Sequence, residues 1–164
     1  MKISILYFSK TGKTREMAEA VAAGAGSVPG TEVRLFELEN IDMDYLSGSS
    51  AVIFGTPTYY ANTCWQLKKW FDESHACRLE GKLGAAFATA NYAQGGADVA
   101  LTTLHQHMMV KGMLVYSGGS ALGQPFIHLG AVALKENFDA SREMFRIFGA
   151  RVAGKAKELF DRPI

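Results

Sequence analysis

Apolar residues in this chain alternate between short unbroken runs and stretches that repeat every three or four positions. The first run, Ile3, Ile5, Leu6, Tyr7 and Phe8, is nearly continuous, as in a parallel strand covered on both faces. Met17, Ala20, Val21 and Gly24 then predict a helix over 13–26, closed by the Gly26–Gly30 stretch with Pro29 as a breaker. A second strand is predicted at 31–37. The polar, turn-rich Leu38–Ser50 segment reads as a connection, and Ala51-Val52-Ile53-Phe54-Gly55 as a buried strand. A helix over about 63–75 places Leu67, Trp70 and Phe71 on one face and Lys68, Lys69 and Asp72 on the other. Strand four is predicted at 83–88, a helix at 97–111 with Val99, Leu101, Leu104 and Met108, and strand five at 113–116. After a long Gly-rich loop, Phe138, Phe145, Phe148, Val152, Ala156 and Leu159 make the core-facing stripe of a last helix over 135–160.

Five strands separated by helices imply a parallel sheet with helices on both faces, and such sheets bind ligands outside the carboxyl ends of their strands. The loops after strands one, three and four are therefore the candidate site. Strand one runs into Ser9-Lys10-Thr11-Gly12-Lys13-Thr14 at the start of a helix. Hydroxyls, unpaired first-turn N–H groups and the positive end of the helix dipole suit a mono- or diphosphate ester there. A nucleotide triphosphate loop is excluded, because that motif needs glycine five residues before Gly12 and the chain has Tyr7. A dinucleotide fingerprint is excluded too, since the turn holds one glycine where three are needed. In the loop after strand three, Pro57 stiffens the backbone before Thr58, Tyr59, Tyr60, Ala61 and Asn62, and the tyrosines offer flat faces to an aromatic ring. The loop after strand four, Thr89, Ala90, Asn91, Tyr92, Ala93, Gln94, Gly95 and Gly96, offers backbone amides to a ring edge and Tyr92 as a cover.

Strand, Ser-x-Thr-Gly-x-Thr, helix resembles the FMN phosphate loop of the flavodoxin-like superfamily. Gly55-Thr56-Pro57-Thr58 with tyrosine close behind, and Gly95-Gly96 followed by a helix and Gly112-Met113, most resemble its FMN-dependent NAD(P)H:quinone oxidoreductases. The resemblance covers nearly the whole chain, departing where those reductases carry a histidine before Gly-Met and this chain has Val110-Lys111. It also departs in a shortened segment between strands two and three. It implies one α/β domain over 1–164, a doubly wound five-stranded parallel sheet of order 2-1-3-4-5, and bound FMN. The cofactor-binding residues it implies are Ser9, Lys10, Thr11, Gly12, Lys13, Thr14, Pro57–Asn62, Thr89, Ala90, Asn91, Tyr92, Gly95 and Gly96. The expected activity is transfer of a hydride from NAD(P)H to the flavin and of electrons onward to a quinone or similar small-molecule acceptor, with no catalytic side chain required. Phe126 and His128, in the Ser117–Gly130 loop, are candidate substrate contacts, an interface or a flap being the other reading of that loop. The alternative function is a flavodoxin-like electron carrier served by a protein reductase. A third is a flavin-free phosphate-ester binder on the same fold.

Composition narrows the picture. A length of 164 residues suits one domain with a substantial core, and the net charge of +1 gives no electrostatic reason to expect nucleic acid or a membrane surface. Electron-shuttling flavodoxins are typically strongly acidic, so near-neutrality weighs toward the enzyme. No apolar stretch approaches a bilayer span, and the first run is followed at once by Lys10, Lys13, Arg15 and Glu16, unlike a signal peptide, so a cytoplasmic protein is expected. Cys64 and Cys77 read as ordinary thiols. His105 and His107, two apart on a helix, point in different directions and make poor joint metal ligands, so no metal is expected. Tyr7, Trp65 and Trp70 read as packing residues, and a homodimer or homotetramer is plausible from the apolar helices and the long loop.

Overall fold

A computed structural model describes residues 1–161. The strands are β1 (Lys2–Tyr7), β2 (Glu32–Glu37), β3 (Ala51–Pro57), β4 (Leu83–Ala90), β5 (Leu114–Val115) and β6 (Ala131–Leu134). The helices are α1 (Lys13–Gly26), α2 (Met43–Ser47), α3 (Trp65–Glu73), α4 (Ala97–Val110) and α5 (Arg142–Phe160). All ladder pairings are parallel, in the order β2-β1-β3-β4-β5, the arrangement expected from the sequence.

The fifth position of the sheet is split, which the sequence did not signal. β5 pairs with β4 at Leu83–Gly84 and β6 pairs with it at Phe87–Ala90. Both halves thus extend one edge, and residues 116–130 leave it and return as a strap. Arg151 on α5 holds that strap. Its Nη1 donates to the carbonyls of Gly119 (3.1 Å) and Pro125 (3.0 Å), and its Nη2 to that of Gly123 (3.1 Å). Ile127 is buried, and Gly130 re-enters the sheet with a φ of 134° where a Cβ would lie 2.2 Å from the Ala86 carbonyl oxygen. Only glycine fits that approach.

The two faces of the sheet carry separate cores. Ile3, Ile5, Ile53, Ala85 and Phe87 pack against α1 and α5, while Leu6, Val52, Phe54, Ala86 and Ala88 pack against α2, α3 and α4. β3 is buried along its whole length, which accounts for its continuous apolar run. α1 and α5 touch through their backbones: a Cβ on Gly24 would stand 1.8 Å from the Arg146 carbonyl oxygen, and one on Gly149 2.1 Å from that of Val21.

Three elements differ from expectation. The 38–50 connection contains α2, capped by the Asp42 carboxylate accepting the Tyr45 N–H at 2.9 Å, with Tyr45 and Leu46 buried. Such a short helix leaves too little periodicity to be read from sequence. The last helix starts at Arg142, after β6 and two 3-10 turns at Lys135–Asn137 and Asp139–Ser141. Leu159, placed by its spacing in the core stripe, is 41% exposed. No helix among the described residues is long and apolar enough to cross a membrane.

Replacing Arg151 with alanine should free the strap and leave the sheet intact. Amides at 117–126 are expected to exchange at least about tenfold faster by hydrogen exchange, with β1, β3 and β4 unchanged. Uniform acceleration across the domain would instead make Arg151 a global stabiliser.

Candidate functional site

The carboxyl ends of β1, β3, β4 and β6 open onto a cavity of about 420 Å³. Its wall at the end of β1 is the turn into α1. Gly12 precedes the helix with a φ of 90°, a left-handed conformation that favours glycine. The Ser9 hydroxyl accepts the Arg15 N–H at 3.2 Å, and Glu16 donates to the Gly12 carbonyl at 2.9 Å. The amides of Lys13 and Thr14 belong to the first turn, where no helical acceptor exists. The buried Thr14 hydroxyl meets that of Thr89 at 2.9 Å, tying α1 to the end of β4. One proton bridges the two oxygens, so the other hydroxyl keeps a donor.

The two remaining loops are pressed together. Thr58 donates its N–H to the Thr89 carbonyl at 2.8 Å, and Tyr59 and Asn62 exchange backbone bonds of 2.9 and 3.0 Å around Tyr60 and Ala61. Both turn residues have positive φ, 47° and 57°, a strained choice for side chains with a Cβ. Gly96 abuts this turn, since a Cβ there would sit 2.5 Å from Ala61 Cα. The Thr58 hydroxyl oxygen is buried without a protein partner. Such an orphan at a cavity wall is what a polar ligand atom would satisfy.

Of the residues expected to bind a cofactor, Lys10, Thr11, Lys13, Thr14, Pro57, Thr58, Tyr59, Thr89, Ala90 and Asn91 line this cavity. Tyr60, Ala61, Tyr92 and Gly95 line an adjoining cavity of about 280 Å³ together with Thr58, Tyr59, Ala90 and Asn91. Ser9, Gly12, Asn62 and Gly96 line neither and act by shaping the loops. Phe126 and His128 stand apart from both: they are exposed on the strap, which folds over α4 and α5, and they line no cavity described here. The segment that does reach the site runs from β6 into the turns that follow it: Ala133, Lys135, Phe138 and Asp139. Sequence reasoning assigned Lys135, Phe138 and Asp139 to the last helix and gave Ala133 no element. Trp65, expected to pack, is 67% exposed and lines a third cavity with Phe8, Tyr59 and Tyr60, whereas Trp70 packs on Phe54 at 5.6 Å.

Electrostatics at the site follow from few groups. Glu16 is held below the usual carboxylate range by hydrogen bonds from Arg142 and then Lys13, the latter at 3.1 Å. Arg142 also reaches Asp139 at 3.2 Å, and Lys13 lies 4.4 Å above the Phe138 ring. Cys64 precedes α3, where a helix N-terminus ordinarily lowers a thiol pKa. Burial prevails and pushes the Cys64 thiol up, and the buried Cys77 thiol likewise. Among the described residues no three His, Cys, Asp or Glu side chains converge as a metal centre requires.

A doubly wound parallel sheet of order β2-β1-β3-β4-β5, flanked by helices and with a cavity at the carboxyl ends of its strands, is the flavodoxin-type fold. The family model "Flavodoxin" matches residues 5–125. The flavodoxin of Clostridium saccharobutylicum is 54% identical over 98% of this chain and 100% of its own length. A flavodoxin, WrbA-like protein of Agrobacterium tumefaciens superposes with a TM-score of 0.80 at 28% identity, over 96% of this chain and 98% of that one. A Fusobacterium nucleatum flavodoxin bound to flavin mononucleotide has the same fold, with a TM-score of 0.72 at 17% identity over 97% and 98%. The chain belongs to the flavodoxin family. These relatives overturn the expected NAD(P)H:quinone oxidoreductase activity, and with it the small-molecule acceptor and the direct NAD(P)H donor. A match at 54% identity over the full length of a flavodoxin outweighs the loop resemblance to the reductases, which share the same phosphate turn.

Both thiols should prove inert in the native state. At pH 8, labelling by a disulfide reagent is expected to run at least about tenfold slower than for a free thiol, and to accelerate on unfolding. Fast labelling of Cys64 would show the helix terminus prevailing over burial.

Proposed function

We propose that this protein is an FMN-containing electron carrier, reduced by a protein reductase and oxidised by a protein partner. The observation that carries the reading is the buried, unpartnered Thr58 hydroxyl at a cavity that Lys13 and Thr14, in the first turn of α1, also line. The site residues fit the group chemically. Amides of Lys13 and Thr14, with the hydroxyls of Thr11 and the Thr14–Thr89 pair, would hold the phosphate. Thr58 and Asn91 would supply polar contacts further along the groove, and Tyr59 and Tyr92 aromatic faces toward the ring. Bound FMN supplies one-electron redox chemistry.

What this chain contributes is exclusion of water along one side and access on the other. Gly96 seated against Ala61 closes the loops upon each other. Tyr60, fully exposed, and Tyr92, 65% exposed, form a rim over which a protein partner would approach. Large exposed aromatic side chains of this kind concentrate interface energy. The relatives support a carrier, and near-neutral charge gives no argument against it, because charge acts on encounter rate more than on the chemistry.

Purified protein loaded with FMN is expected to be reduced by dithionite in two resolved one-electron steps. NADPH alone should leave its absorption spectrum unchanged over minutes. Prompt bleaching by NADPH without a reductase would refute the carrier reading.

A further inference from the structure

Most cationic side chains of this protein are neutralised where they stand, by a carboxylate, a carbonyl or an aromatic ring. Among the described residues, Lys10, Arg78 and Lys135 show no such partner. Two of these three, Lys10 and Lys135, border the same cavity of about 420 Å³. The other charges lining that cavity are already satisfied: Lys13 by Glu16 and the face of Phe138, and Asp139 by Arg142. Both ammonium groups are exposed and lack a protein counter-charge, so an anion seated in the cavity would be the group that draws them together.

We infer that Lys10 and Lys135 are the counter-charges for a dianionic phosphate monoester, so that the site selects phosphorylated flavin by charge as well as by the neutral donors of the turn. The inference rests on the FMN reading above and deepens it. A phosphate monoester at neutral pH carries about −1.5 to −2 charges, which two ammonium groups match. The two lysines come from opposite ends of the chain, one in the turn after β1 and one directly after β6. The phosphate therefore bridges the first strand and the end of the split edge strand. Lys135 would specify the ligand through charge alone, since an ammonium is a compact point donor on a flexible stem.

The test titrates apo protein, and the variants Lys10→Gln and Lys135→Gln, with FMN and with riboflavin by flavin fluorescence, and with inorganic phosphate by thermal melting. Each variant is expected to weaken FMN by about tenfold and riboflavin by less than about twofold. Millimolar phosphate should raise the melting temperature of the native apo protein and raise it less in either variant. Native FMN affinity should fall with rising salt more steeply than riboflavin affinity does. Equal weakening of FMN and riboflavin would give the lysines a structural role and overturn the inference, as would unchanged FMN affinity. If the native protein takes up neither flavin, yet phosphate stabilises it through both lysines, the carrier reading falls and the counter-charge assignment stands. If neither flavin nor phosphate acts, both fall.

Discussion

Everything at the functional end of this molecule follows from burying β1, β3 and β4 on both faces. A strand covered on both sides admits few polar side chains along its length, and those it holds must be paired, as buried Ser4 is with Ser49 at 2.8 Å. Polar chemistry is pushed to the strand tips, where the chain turns into a helix and the first amides lack acceptors. α1 and α5 approach so closely at Gly24 and Gly149 that their backbones touch, which fixes where α1 begins and so where its unpaired amides point. The Thr14–Thr89 bond then joins that helix start to the tip of β4. Core packing thus fixes both ends of one helix, the glycine contacts toward its end and the cavity-lining turn at its start.

The loops across the groove add strain and charge to this frame. Tyr60 and Ala61 in left-handed backbone persist because Tyr59 and Asn62 clamp the turn from below and Gly96 packs against its side. Strain of this sort is retained where surrounding contacts over-determine it. At the far end, Glu16, Arg142 and Asp139 knit α1 to α5 and leave Lys10 and Lys135 as the free cations at the cavity.

Much of this was legible in the sequence, for stated physical reasons. Continuous apolar runs gave the buried strands, and hydroxyl-rich or glycine-punctuated junctions gave the three loops that do meet at one cavity. The split of the fifth strand was hidden because two- and four-residue strands are too short to carry a period, so 131–134 read as no element and the turns from Lys135 read as the start of the last helix. That error moved the site's fourth wall out of view and put Phe126 and His128 in its place. Trp65 was misjudged because a tryptophan at a helix start has no periodic signature that separates a rim from a core. The choice between enzyme and carrier lay beyond the residues, since both use the same phosphate turn. Near-neutral charge pointed the wrong way because it bears on docking, not on chemistry.

The central claim is that the tips of β1, β3 and β4, and not the strap, form the flavin site. Backbone amide NMR of the apo protein titrated with FMN tests it most directly. The account predicts saturation at one FMN per chain, with the largest shifts at Thr11–Thr14, Thr58–Tyr59 and Thr89–Asn91 and small ones at 117–130. Shifts concentrated on the strap, or no saturable shift at all, would contradict it.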